Sequence, residues 1–110
     1  MVKQMTRRAA VYAVVVGAVA VRAAIAGTSI IVAMENFAFI PAQLTVKAGS
    51  KVIFVNHDEV PHSVVGLGSE FRSKALDKGE RFAITFDKPG EIDYFCGLHR
   101  GMRGRITVAP

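Results

Sequence analysis

Large apolar residues alternate with small or polar ones along Arg81-Phe82-Ala83-Ile84-Thr85-Phe86, and Asp87-Lys88-Pro89-Gly90 ends the run. Period-two alternation stopped by turn residues predicts a half-buried β-strand. The same signature recurs downstream of residue 26. Ser29–Ala33 is apolar and β-branched, and Phe37–Ile40 runs into Pro41. Leu44–Lys47 stops at Ala48-Gly49, and Lys51–Asn56 ends in the polar run His57-Asp58-Glu59. Ser63–Val65 is brief and meets Gly66. Glu91–Cys96 sets Ile92, Tyr94 and Cys96 on one face, and Arg105–Val108 closes the chain. Residues 66–80 are the least regular and suit a loop, a short edge strand or one helical turn. No helical period of useful length appears after residue 26. Seven or eight short strands separated by turns predict an all-β sandwich or barrel.

The first 26 residues follow another rule. Lys3, Arg7 and Arg8 precede an apolar run from Ala9 to Val21, and Ala24-Ile25-Ala26 follows. A charged start, a short apolar run and an A-x-A site are the marks of a secretory signal peptide. A membrane anchor competes, but the run falls short of the roughly 20 residues needed to span, and Arg22 interrupts it. Residues 1–26 are therefore expected to be a cleaved signal, 27–110 a single domain, and the location periplasmic. This division changes the charge. The chain has 14 Lys and Arg against 9 Asp and Glu. Four of the basic residues and none of the acidic ones lie in the leader, so a net +5 falls to +1. The basicity belongs to targeting, and gives no reason to expect a nucleic-acid surface. Residues 27–110 suffice for one core of marginal size. With one cysteine there is no internal disulfide. A lone thiol in an oxidising compartment must be buried, paired between chains or bound to metal.

That thiol sits in Tyr94-Phe95-Cys96-Gly97-Leu98-His99-Arg100-Gly101-Met102-Arg103-Gly104. Cys96, His99 and Met102 follow one another at three-residue intervals between two expected strands, where Gly97, Gly101 and Gly104 let the backbone turn tightly. His62 enters its own strand behind Pro61, which narrows its freedom. Loops at one end of a sandwich lie together, so these two stretches are expected to meet. Two imidazoles, a thiolate and a weak thioether form the ligand set of a copper electron-transfer site. Zinc competes for Cys and His, but Met is not a usual zinc ligand and a second Cys would be expected. Taken singly, Cys96 and Met102 also read as core fillers. His57, beside Asp58 and Glu59, reads as a solvated loop residue, and Met34 as core.

Taken together, Leu44-Thr45-Val46-Lys47-Ala48-Gly49, Val52-x-Phe54-x-Asn56, Pro61-His62-Ser63-Val64 and Tyr94-Phe95-Cys96-x-x-His99-x-x-Met102-x-Gly104 resemble the cupredoxins. These are the type 1 blue copper proteins, and the resemblance covers nearly all of residues 29–109. The C-x₂-H-x₂-M loop is shorter than that of plastocyanins and similar to the amicyanin branch. The resemblance implies an eight-stranded Greek-key sandwich. It implies one copper ion held by His62, Cys96, His99 and Met102. It also implies a monomeric carrier of single electrons rather than an enzyme, exchanging them through His99. Its partners would be redox proteins, such as a periplasmic dehydrogenase as donor and a c-type cytochrome as acceptor. Arg100, Arg103 and Arg105 would then steer an acidic partner surface. Two departures stand out. Ser63 replaces the Asn that in the family ties the two ligand loops, and Leu98 and Arg100 stand where amicyanins have prolines. Ser63 gives some support to the alternative of a periplasmic copper chaperone or storage protein. A two-copper centre needs a second Cys, and a copper oxidase or reductase needs more centres than three histidines supply.

Overall fold

Where alternation is cleanest, sequence and structure agree to the residue. The computed structural model describes residues 29–110, and Arg81–Phe86 is a strand from end to end. Eight strands follow in chain order: β1 (Ser29–Glu35), β2 (Ala38–Ile40), β3 (Gln43–Lys47), β4 (Ser50–Asn56), β5 (Val65–Gly66), β6 (Arg81–Phe86), β7 (Gly90–Phe95) and β8 (Arg103–Ala109). The expected leader, residues 1–26, lies outside the described residues.

The strands form two four-stranded sheets, ordered β2-β1-β4-β6 and β3-β8-β7-β5. Each mixes parallel and antiparallel pairs, with β1 parallel to β4 and β3 parallel to β8. This is the eight-stranded all-β sandwich that the resemblance implies. Inward positions alternate as the sequence requires. Val32 and Met34 of β1, Val52 and Phe54 of β4, and Ile106 and Val108 of β8 are buried between the sheets. Phe39, Phe54 and Tyr94 meet edge to face, with ring centroids 4.8 to 6.2 Å apart, in the arrangement aromatic quadrupoles favour. Met34 lies in this core, as its position in the first strand implies.

The region around His62 departs from expectation. A strand over Ser63–Val65 shrinks to Val65–Gly66. The cause lies in its neighbour, the irregular stretch up to residue 80, which contains no helix. His62 and Leu76 exchange two backbone hydrogen bonds, of 3.1 and 2.7 Å. The Val64 amide donates to Ser73 Oγ at 2.9 Å, and the Ser73 amide to the Val64 carbonyl at 2.8 Å. A side-chain hydroxyl thus substitutes for a ladder partner, which satisfies a buried backbone without a regular strand.

The loop glycines turn the chain without left-handed backbone, and Gly104 has a second role. Left-handed backbone is found at Gly49, Gly79 and Gly90, not at Gly97, Gly101 or Gly104. Gly104 lies in β8 opposite Tyr94, and a Cβ there would collide with the phenol end of the Tyr94 ring. Its role is close approach of an aromatic ring to backbone. The Tyr94 hydroxyl beneath it is buried with no hydrogen-bond partner among the described residues, and burial pushes the phenol well above its usual range.

Candidate metal centre

Three elements converge at one end of the sandwich. His62 comes from the irregular segment before β5, completely buried. Cys96 follows the last residue of β7 and is equally buried, because alternation carries the inward face of Ile92 and Tyr94 on to it. His99 and Met102 come from the connection to β8. The Cys96 amide donates to the Met102 carbonyl at 3.0 Å, and the Met102 amide to the His99 carbonyl at 2.9 Å. These two bonds close the loop and leave Met102 buried at its end.

The donor atoms form a small triangle. His62 Nδ1 is 3.2 Å from His99 Nδ1, and Cys96 Sγ is 3.7 and 3.8 Å from the two nitrogens. A triangle with sides 3.2, 3.7 and 3.8 Å has a circumradius of about 2.1 Å. Metal bonds to imidazole nitrogen and to thiolate sulfur are about 2.0–2.1 and 2.3 Å, so one first-row ion fits the triangle.

The surroundings prepare these atoms for a cation. His62 Nε2 lies 2.8 Å from Asp58 Oδ2. An ionised carboxylate only accepts, so Nε2 carries the proton and Nδ1 presents a lone pair to the triangle. Hydrogen bonds from the Phe37 amide, the His62 ring and the Asn36 amide hold the Asp58 carboxyl down at about 2, below its ordinary 3.8. The carboxylate is therefore charged whenever the imidazole needs it. Cys96 Sγ accepts the Ser63 amide at 3.4 Å, which ties the sulfur to the His62 segment. Ser63 Oγ in turn accepts the Gly97 amide at 2.9 Å. The tie between the two loops expected of Asn is thus made by Ser63, and Gly97 is where a Cβ would press on that hydroxyl.

The ligand atoms of His62, Cys96 and His99 all lie within 4.8 Å of one another, forming a candidate metal site, with Met102 buried on the same loop. His57 stays apart, about half exposed and 3.4 Å from Glu35. Of the three arginines, Arg105 is engaged by Asp93 at 2.7 Å and Glu91 at 3.7 Å. Arg100 lies over the Phe95 ring, 5.4 Å from its centroid. Sequence reasoning passed over two residues. Asp58 looked like one more charge in a polar turn, although its place four residues before His62 was a usable sign. Phe37 looked like part of a strand, yet its ring lies edge-on to both imidazoles, 5.5 Å from His62 and 5.1 Å from His99.

A two-sheet fold with this cluster at one end is the architecture of a small copper-binding domain, and the Cupredoxin-like domain family matches residues 8–108. The chain belongs to the cupredoxin family. It is 36% identical over 85 residues to amicyanin of Paracoccus versutus, an alignment covering 73% of this chain and 64% of that protein. It is 31% identical over 86 residues to plastocyanin of Rumex obtusifolius, covering 64% and 87%. The chain spans less than two thirds of some curated relatives, including the P. versutus amicyanin at 64% and the chloroplastic plastocyanin minor isoform of Arabidopsis thaliana at 52%. The crystal structure of P. versutus amicyanin superposes with a TM-score of 0.67 at 36% identity, covering 73% of this chain and 80% of that one. An amicyanin variant solved in its Cu(I) form also gives 0.67, at 28% identity, covering 73% and 81%. A copper-containing nitrite reductase from Thermus scotoductus SA-01 gives 0.71 at 33% identity, but the match spans only 23% of that chain.

Proposed function

We propose that the protein is a periplasmic blue-copper carrier of single electrons. One copper ion would be held by His62 Nδ1, Cys96 Sγ and His99 Nδ1, with Met102 as a further, weaker ligand that tunes potential. The observation that carries this reading is the donor triangle, whose size suits one ion and whose outer nitrogen is already held by Asp58. Bound there, copper would supply reversible one-electron exchange between its two oxidation states. The chain's own residues keep the donors in place: Asp58 fixes the His62 tautomer, the Ser63 amide supports the sulfur, and the core around Cys96 and Met102 excludes water. Small motion on charge change is what a carrier needs.

The reading is a carrier rather than an enzyme, and the likeness to amicyanins and plastocyanins supports it. The chaperone alternative drew on Ser63, and the two hydrogen bonds of Ser63 take that support away. Partners would be redox proteins, a dehydrogenase giving electrons and a c-type cytochrome taking them. Leu98, half exposed beside His99, gives an apolar place of contact. Steering of an acidic partner falls to Arg100 and Arg103, which make no ion pair among the described residues, while Arg105 is neutralised. The periplasmic location rests on the leader pattern of residues 1–26.

The test is an optical spectrum of the chain without residues 1–26 after adding Cu(II), beside Cys96→Ser. The expected result is an intense absorption band toward the red for the first and none for the second. A weak, tetragonal-type spectrum from the parent chain would end the blue-copper reading. Slow copper exchange with a chelator separates the carrier from a metal-delivering chaperone.

A further inference from the structure

β1 and β2 form a hairpin with a two-residue loop, Asn36-Phe37, in which both residues have positive φ, 54° and 59°. This is the pattern of a type I′ turn, whose usual filling is Asn followed by Gly. Asn36 obeys the rule. Phe37 breaks it, since left-handed backbone is strained for a bulky side chain. The strain is held by one group. Asp58 Oδ1 accepts the Asn36 amide at 2.8 Å, and Oδ2 accepts the Phe37 amide at 3.0 Å. The same Oδ2 holds His62 Nε2. A single carboxylate therefore sets both the turn and the inner imidazole, which locks the Phe37 ring into register with the donor triangle.

The ring stands nearly perpendicular to both imidazoles, at 82° and 85°, and the residue is 54% exposed. For His62 this contact is redundant, because Asp58 and two backbone bonds already fix it. For His99 it is not. Among the described residues the polar contacts of the His99 ring are His62 Nδ1 and Cys96 Sγ, both inside the triangle. Nothing polar holds the ring from outside.

We propose that Phe37 is a positioning residue, an aromatic cap that holds the His99 ring against the donor triangle and closes the outer side of the site to small ligands. The turn is kept in a strained form because glycine, the residue it prefers, would leave that side open. The cap acts through His99 and touches no reacting atom. It rests on the blue-copper reading above, so the experiment must distinguish failure of the cap from failure of that reading.

Phe37→Gly and Phe37→Tyr are compared with the parent chain. Glycine relieves the backbone strain and removes the ring, whereas tyrosine keeps both. In the metal-free state Phe37→Gly is expected to melt no lower than the parent. Loaded with Cu(II), it is expected to keep an intense red band, to change its spectrum when azide is added, and to lose copper to EDTA at least about tenfold faster. The parent and Phe37→Tyr should ignore azide and hold copper alike. Three outcomes overturn the cap: Phe37→Gly as closed to azide and EDTA as the parent, Phe37→Tyr as open as Phe37→Gly, or metal-free Phe37→Gly melting well below the parent. A parent chain with no red band refutes the blue-copper reading instead, and the metal-free melting comparison still reports on the strained turn.

Discussion

The segment carrying His62 and the loop carrying Cys96, His99 and Met102 reach the same point by different means. The first is fastened from several sides. Asn56, completely buried, donates through Nδ2 to the Val60 and Leu76 carbonyls and accepts the Asp58 amide on Oδ1. His62 adds two backbone bonds to Leu76 and the Asp58 contact. The second is short and mostly solvent-facing between its buried ends. Gly97, Leu98, Arg100 and Gly101 are exposed, and the loop is closed by two backbone bonds, the Ser63 tie and the Phe37 ring. One imidazole belongs to the framework, and the other is delivered to it. Local opening follows the density of buried contacts, so the C-terminal loop is the part that loosens first when no ion joins the donors.

The largest test of this difference replaces each imidazole in turn. His99→Gly leaves a gap beneath the exposed loop of residues 97–101, whereas His62→Gly leaves one where the side chain was completely buried. With Cu(II) present, added imidazole should restore the red band to His99→Gly and leave His62→Gly unrestored. Equal rescue of both would remove the contrast. Next comes Asn56→Ala, which strips three hydrogen bonds from a fully buried position. Unsatisfied buried partners cost about 1–3 kcal/mol each before relaxation, so a net loss of about 3 kcal/mol is expected in urea unfolding of the metal-free protein. Leu98→Ala, on the exposed loop, should stay within about 0.5 kcal/mol of the parent in the same measurement.

The legibility of the sequence divides along the same line. Strands with one solvent face announced themselves, as Arg81–Phe86 shows, because burial on one side imposes period two. The Cys96–Met102 spacing was legible because it lies within one loop. The segment at His62 was not, since its partners are Ser73 and Leu76 in an irregular stretch. Asp58 and Phe37 were missed for a related reason. Their contact joins residues 21 positions apart, and no local pattern encodes it. At Gly97 and Gly104 close approach adds a reason for glycine that spacing alone does not reveal, because tight approach and tight turning both select it.

A smaller effect separates the two regions by pH. The Asp58 carboxyl falls from 3.8 to about 2 on folding, so folding favours its charged form. That stabilisation is complete above about pH 4 and is lost as pH falls toward 2, and it amounts to about 2 kcal/mol. Metal-free protein should lose this much on acidification, and Asp58→Asn, already lacking it, should show a flatter profile over that window. Identical profiles would mean that the carboxylate does not hold the turn and His62 as described.

The smallest effect lies where the two regions touch. Ser63→Ala removes the acceptor of the Gly97 amide, a bond near the surface whose loss should cost about 1 kcal/mol because water can replace it. Gly97→Ala attacks the same contact from the other side. Its new Cβ would lie 2.8 Å from Ser63 Oγ and 3.3 Å from Val65 Cγ2, and crowding of that kind costs about 1–3 kcal/mol. In the double variant the hydroxyl that the methyl strikes is gone, so the clash is largely relieved. The two costs should therefore combine to less than their sum by about 0.5 kcal/mol or more, a coupling readable in a double-mutant cycle of the metal-free protein. Strict additivity would mean that the loops are not joined through Ser63. The C-terminal donors would then depend on the aromatic cap, the two backbone bonds and the Ser63 amide on Cys96 Sγ.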